Sequence, residues 1–180
     1  AISQNLIRPQ KFSEAQRVWE SIDFEERHHS LAEQAISMAS AAMNAKQFRF
    51  AETLFKDGGQ LSGRIGTIHD GVFEFGVKVR AADIFEWQIG DGAEPQIAMS
   101  NSTKHGGENS LLLQFNTMEA SAFRRVAQTI AADPGTSLKF SAYYRSELKA
   151  RSTMRFVISD ATSGKELARS ENFAESSDWR

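Results

Sequence analysis

Two histidine-bearing stretches are the first places to look for catalysis. His105-Gly106-Gly107 has the outline of an oxyanion-hole loop, but no G-x-S-x-G elbow accompanies it. It reads instead as a polar turn between strands. Glu25-Glu26-Arg27-His28-His29 gathers carboxylates and imidazoles without the H-E-x-x-H spacing that sets two ligands on one helix face. That stretch reads as a solvated helix end. The chain has no Cys, which removes a disulfide framework and a thiolate zinc site. No phosphate loop or dinucleotide fingerprint is present. The expectation is a chain without catalytic residues of its own, whether or not a larger enzyme carries it.

Binding chemistry is better represented. Along 137–147, Leu138, Phe140, Ala142 and Tyr144 alternate with Lys139, Ser141, Tyr143 and Arg145. Successive side chains of a strand point to opposite faces, so the first set is expected in a core and the second on the open face. Tyr143 and Arg145 then stand together, an aromatic ring beside a guanidinium, able to line a groove. Gln114, opposite Leu113 and Phe115 in its own alternation, is a further groove candidate. Trp87 is a candidate ligand contact as well, although it shares a face with Phe85 and Ile89, a grouping more typical of a core than of a binding platform. Gln128 alternates with Val126 and Ile130 and is expected to be a buried amide satisfied by backbone groups.

The elements that must carry these residues divide by glycine usage. The chain has 180 residues and 12 Gly, and every Gly lies from Gly58 onward. Glycine weakens helices and serves turns, so helices are expected first and strands afterwards. Phe12, Ala15, Val18, Trp19 and Ile22 recur at helical steps. Ser13–Gln16 and Ser30–Glu33 have capping-box form, and a third helix carries Phe48, Ala51, Leu54 and Phe55 before stopping at Asp57-Gly58. Phe12, Trp19, Leu54 and Phe55 are expected to be buried. Short β-prone runs follow at 72–75, 84–89, 96–100, 110–116, 124–131, 137–147, 153–160 and 166–172, separated by Gly- and Pro-bearing turns. The predicted organisation is a helical segment at 1–57, a flexible linker at 58–70 and a β-sandwich at 71–180. The fold class is α+β.

The helical segment resembles tetratricopeptide-type repeats. Lys11-Phe12-Ser13-Glu14-Ala15 and Gln47-Phe48-Arg49-Phe50-Ala51 both look like the junction within such a repeat, and they lie 36 residues apart (Lys11 to Gln47) against a period of about 34. A plain helical hairpin packed on the next domain is the other reading. Either way the helices are expected to dock a protein partner or act as a spacer.

Residues from about 70 to the end resemble a family 4/9-type carbohydrate-binding module. The matching pieces come in order: Gly71-Val72-Phe73-Glu74, then Trp87, then His105-Gly106-Gly107-Glu108-Asn109-Ser110-Leu111. Val126-Ala127-Gln128-Thr129-Ile130, Pro134 to Ser141 and finally Trp179 follow. The resemblance implies an antiparallel jelly-roll β-sandwich that binds a glycan or polysaccharide, with ligand contacts on strands such as the one bearing Tyr143 and Arg145. It also implies a structural calcium ion, with Glu74 the carboxylate at the matching first-strand position; the usual C-terminal acidic contributor is missing here. Extracytoplasmic placement is a further implication. Where the family pattern continues with late strands, this chain stops at Arg180. The sandwich is therefore expected to be incomplete at its C-terminus, with a second chain or a continuation of this one supplying the missing strands. The competing functional reading is a structural or protein-interaction domain that binds no sugar.

Lys and Arg total 21 against 23 Asp and Glu, for a formal charge of −2. That balance argues against a nucleic-acid footprint. No apolar run approaches the ~18 residues of a membrane span. The chain opens on Ala1 rather than Met, which is expected of a processed or excised piece.

Overall fold

The computed structural model describes residues 11–59, 61, 63–79, 82–116, 122–149 and 153–180. It is a mixed α+β structure. Helix α1 (Phe12–Ser21) buries Phe12, Ala15 and Trp19 on one stripe. A π-helical turn, Glu26–Ser30, precedes α2 (Ala32–Asn44), and α3 spans Phe48–Asp57. Neither capping box forms: Lys11 and Leu31 occupy the N-cap positions, without a side-chain cap.

The chain divides into two compact units, assembled from alternating stretches of sequence. The first unit holds the described residues up to Gly71, together with Val77–Ile89 and Val126–Thr136. Its core consists of Phe12, Ala15, Trp19, Ala35, Met38, Ala39, Ala42, Phe50, Ala51, Leu54, Phe55, Phe85 and Ala131. Alanines on the inner face of α2 leave room for the bulkier Phe50, Leu54 and Phe55 of α3. Gly58, just past α3, extends that close approach: a Cβ there would lie 2.7 Å from Ile36 Cγ1 and 3.2 Å from the Ala32 carbonyl. Strand β1 (Gln88–Ile89) pairs antiparallel with β4 (Val126–Ala127) in this unit.

The segment expected as a flexible linker is instead tied down. Lys56 Nζ donates to the Gly63 carbonyl at 2.6 Å, the Gly66 amide donates to Glu52, and His69 is buried. Polar partners on α3 supply what its glycine-rich sequence does not.

The second unit contains Val72–Gly76, Gly90–Arg125 and Ser137–Arg180. Within it β2 (Gln96–Ser100) pairs with β3 (Ser110–Gln114), β5 (Ser146–Glu147) with β8 (Ser176–Ser177), and β6 (Val157–Ser159) with β7 (Glu166–Arg169), all antiparallel. Among the described residues each sheet has two strands. No sheet closes or curls among the described residues, so the strand pairing is antiparallel as expected but the ladders are shorter. The run at 72–75 is not a strand: Asp70, Phe73 and Gly76 all adopt positive φ (47°, 59° and 77°), which interrupts extended backbone. Only residues 126–127 of the 124–131 run pair as a strand; half-buried Gln128 follows, its side-chain amide clasping the His69 backbone in both directions (2.7 and 2.8 Å). That amide is satisfied by backbone groups, as its alternation implied.

Leu138 and Phe140 do not enter a core. They are 54% and 41% exposed, and among the described residues this unit buries only Glu94, Pro95 and Ser146. Their facing was nevertheless legible. Phe140 meets Phe156 edge-on, Phe156 meets Phe173, and Phe173 stacks on Tyr144 at 4.0 Å. The aromatic row follows the predicted alternation without a second layer over it. No helix among the described residues is long and apolar enough to cross a membrane.

Candidate binding surface

Tyr143 lies on the opposite face of its strand from that aromatic row and is 65% exposed. Its ring stacks on the His105 imidazole, with centroids 3.7 Å apart and planes 14° from parallel. Trp179 approaches His105 from the side, at 5.7 Å and 61°. Three rings from distant parts of the sequence thus form one aromatic cluster in the second unit, with Tyr143 and His105 exposed and Trp179 half-buried.

Each ring is positioned by backbone bonding nearby. The Tyr144 and Arg180 backbones bond to each other both ways (3.1 and 3.2 Å), and β5 and β8 continue the pairing. This brings the end of the chain, Trp179 included, alongside Tyr143. Packing of Tyr144 on Phe173, with its hydroxyl accepting the Ala174 amide at 3.3 Å, holds that strand's other face. His105 sits in the loop joining β2 to β3. There Ser110 Oγ donates to the Thr103 carbonyl, Lys104 pairs with Glu108, and Glu74 accepts the Glu108 amide at 2.6 Å. Gly107 has φ +66°, a left-handed conformation that favours glycine, and a Cβ there would push against the Glu74 carboxylate.

An open, polar cavity of about 310 Å³ in the same unit is lined by Arg145, Glu147, Ser176, Ser177 and Asp178. Arg145 Nη2 donates to Glu147 Oε1 at 3.2 Å. Ser177 Oγ lies 3.0 Å from Ser146 Oγ, which itself donates to the Ala174 carbonyl. Asp178 is next to Trp179, and Arg145 is two residues from Tyr143 on the same strand face. The arrangement offers aromatic faces for apolar C–H surface and hydroxyl, carboxylate and guanidinium groups for hydrogen bonding.

Of the residues singled out from the sequence, Tyr143 and Arg145 come together here. Trp87 belongs to the first unit, half-buried, its indole N–H donating to the Asp70 carbonyl at 3.0 Å. Gln114 ends β3, exposed and opposite Gln96. Glu74 serves as the anchor of the His105 loop, and no group of three or more metal-ligating side chains occurs among the described residues. His105 and Trp179 were not recognised as binding residues from sequence. The aromatic character of Trp179 was the one available signal.

A second constellation has the residue types of a catalytic dyad. Glu52 is 0% exposed and its Oε1 lies 2.6 Å from His69 Nε2. The same carboxylate accepts the Gly66 amide with both oxygens at 3.0 Å and the Ala131 amide at 3.2 Å. Asp57, also buried, accepts the Trp19 indole N–H and Arg27 Nη1, both at 2.7 Å. These two acids of α3 brace the helical unit from within: Asp57 holds α1 and the π-helical turn, and Glu52 holds 66–69 and 131. Both are sealed from solvent.

No family model matches the chain, and neither a curated protein nor a solved structure matches it.

Proposed function

We propose that the protein binds carbohydrate without modifying it, through the surface formed by His105, Tyr143, Trp179 and Arg145. One observation carries this reading. Tyr143 is a large ring held in place by a stacked imidazole, yet it leaves most of its surface to solvent, in a unit that also holds a polar cavity. Exposed aromatic surface of that kind suits the C–H-rich face of a pyranose, and the cavity groups suit its hydroxyls. The resemblance to family 4/9-type carbohydrate-binding modules points the same way. On this proposal the second unit is a jelly-roll-type module. The helical unit is the attachment or protein-docking element, the compartment is extracytoplasmic, and Glu74 is the remnant of a structural calcium position.

The test is a glycan array and affinity electrophoresis on soluble polysaccharides, with the full chain and its Tyr143→Ala and Trp179→Ala variants. Each substitution should weaken binding by about 1–3 kcal/mol, by analogy with the stacking of nucleic-acid bases on aromatic side chains, which is roughly 5- to 150-fold in Kd. Circular dichroism should stay unchanged. A wild-type chain that binds no glycan on the array refutes the proposal and leaves the structural or protein-interaction reading.

A further inference from the structure

We propose that Glu147 sets the charge specificity of this surface, so that it accepts uncharged glycans and rejects those bearing carboxylate or sulfate. The inference rests on the carbohydrate-binding reading and deepens it. A guanidinium beside an aromatic platform would by itself select acidic sugars, because its planar fork matches carboxylate and sulfate oxygens bidentately. Here one arm of that fork, Nη2, is already engaged by a carboxylate of the chain itself. Glu147 lies two residues along the strand, on the same face as Arg145, and its Oε1 takes Nη2 at 3.2 Å.

The cavity lining therefore holds one cation, Arg145, against two carboxylates, Glu147 and Asp178. An incoming uronate or sulfate would compete with Glu147 for Nη2 and lie beside two like charges. A hydroxyl-bearing neutral sugar meets no such obstacle: it can donate to either carboxylate, accept from the remaining Arg145 N–H groups and use Ser176 and Ser177 in either sense. Stability does not account for the Arg145–Glu147 pair. Its side chains are 43% and 77% exposed, and exposed pairs of this kind contribute little to folding. The effect of Glu147 is felt by the ligand, through the charge it places at the cavity.

The experiment compares the wild-type chain, Glu147→Gln, Asp178→Asn and Arg145→Ala on two sets of soluble polysaccharides. The neutral set is mixed-linkage β-glucan, xylan and galactomannan; the acidic set is polygalacturonate, alginate and heparin. Wild type should bind at least one neutral polymer and bind every acidic one at least about tenfold more weakly, a gap of about 1.4 kcal/mol. Glu147→Gln should gain about tenfold or more on the acidic set, and that gain should fall as salt rises. Asp178→Asn should shift in the same direction, and Arg145→Ala combined with Glu147→Gln should abolish the gain. Wild type binding acidic polymers as tightly as neutral ones overturns the inference while leaving carbohydrate binding intact, and so does Glu147→Gln without a gain. Binding to neither set overturns the carbohydrate-binding reading itself, and the inference with it.

Discussion

Replacing Glu52 with Ala removes the acceptor that ties α3 to two distant stretches of the chain. One carboxylate, 0% exposed, satisfies the Gly66 and Ala131 amides and faces His69 Nε2 at 2.6 Å. Truncation takes the acceptor from the Ala131 amide, in the interior, and from the half-buried Gly66 amide, and removes the carboxylate facing the imidazole. Each unsatisfied buried group costs about 1–3 kcal/mol, and stranding one partner of a buried pair costs about 3–5 kcal/mol. The terms overlap, since a water admitted to the vacated space recovers part of both, so the expected loss is about 3–5 kcal/mol. That is a large share of the roughly 5–15 kcal/mol that ordinary domains possess.

Glu52→Gln keeps the volume and one acceptor oxygen but turns an NH₂ toward an amide donor, for about 1–3 kcal/mol. The assay is urea unfolding followed by tryptophan fluorescence, to which Trp19 and Trp87 of this unit contribute, with amide exchange read at Gly66 and Ala131. In a double-mutant cycle with His69→Ala, Glu52 and His69 should couple by more than about 0.5 kcal/mol, as residues sharing one network do. A Glu52→Ala variant that loses less than about 1 kcal/mol and keeps slow exchange at both amides refutes the brace.

Other expectations are simpler to state. Leu54→Ala, at a fully buried site of α3, should cost about 2–5 kcal/mol, whereas Leu138→Ala should stay within about 1 kcal/mol because that side chain is mostly in water; urea midpoints decide both, and equal costs would mean that Leu138 is covered in solution. At the turn after β6, hydrogen bonds from the Ser163 amide first, then its hydroxyl and the Thr162 amide, hold the Asp160 carboxyl below the ordinary carboxylate range. The stabilisation from such a depressed group is present above the unfolded-state value and is lost as pH falls through the folded one. Exchange at the Thr162 and Ser163 amides should therefore show protection that declines below the usual carboxylate range, after correction for intrinsic exchange. An NMR titration of Asp160 at or above an ordinary carboxylate value would contradict this.

What the sequence determined alone was local. The helical stripes of Phe12–Trp19 and Phe48–Phe55 are set by a period of 3.6 within ten residues, and an apolar stripe has to be buried, so α1, α3 and the burial of Trp19, Leu54 and Phe55 follow directly. The outward facing of Tyr143 and Arg145 follows in the same way from a period of two. Tertiary structure decided everything that needs a partner from far along the chain. Leu138 and Phe140 alternate as core residues do, but burial requires a covering layer, and their own strand cannot supply one. Glu52 looked like one more polar residue of α3; its burial depends on donors from Gly66, His69 and Ala131, which come together only when the chain folds back on the helix. His105 read as part of a turn because nothing near it in sequence announces Tyr143 and Trp179. Antiparallel pairing of residues 144–148 with 175–180 brings Trp179 alongside Tyr143, and contacts through Glu74 hold the loop that presents the imidazole. Periodicity records which way a side chain points, while long-range pairing determines what it meets.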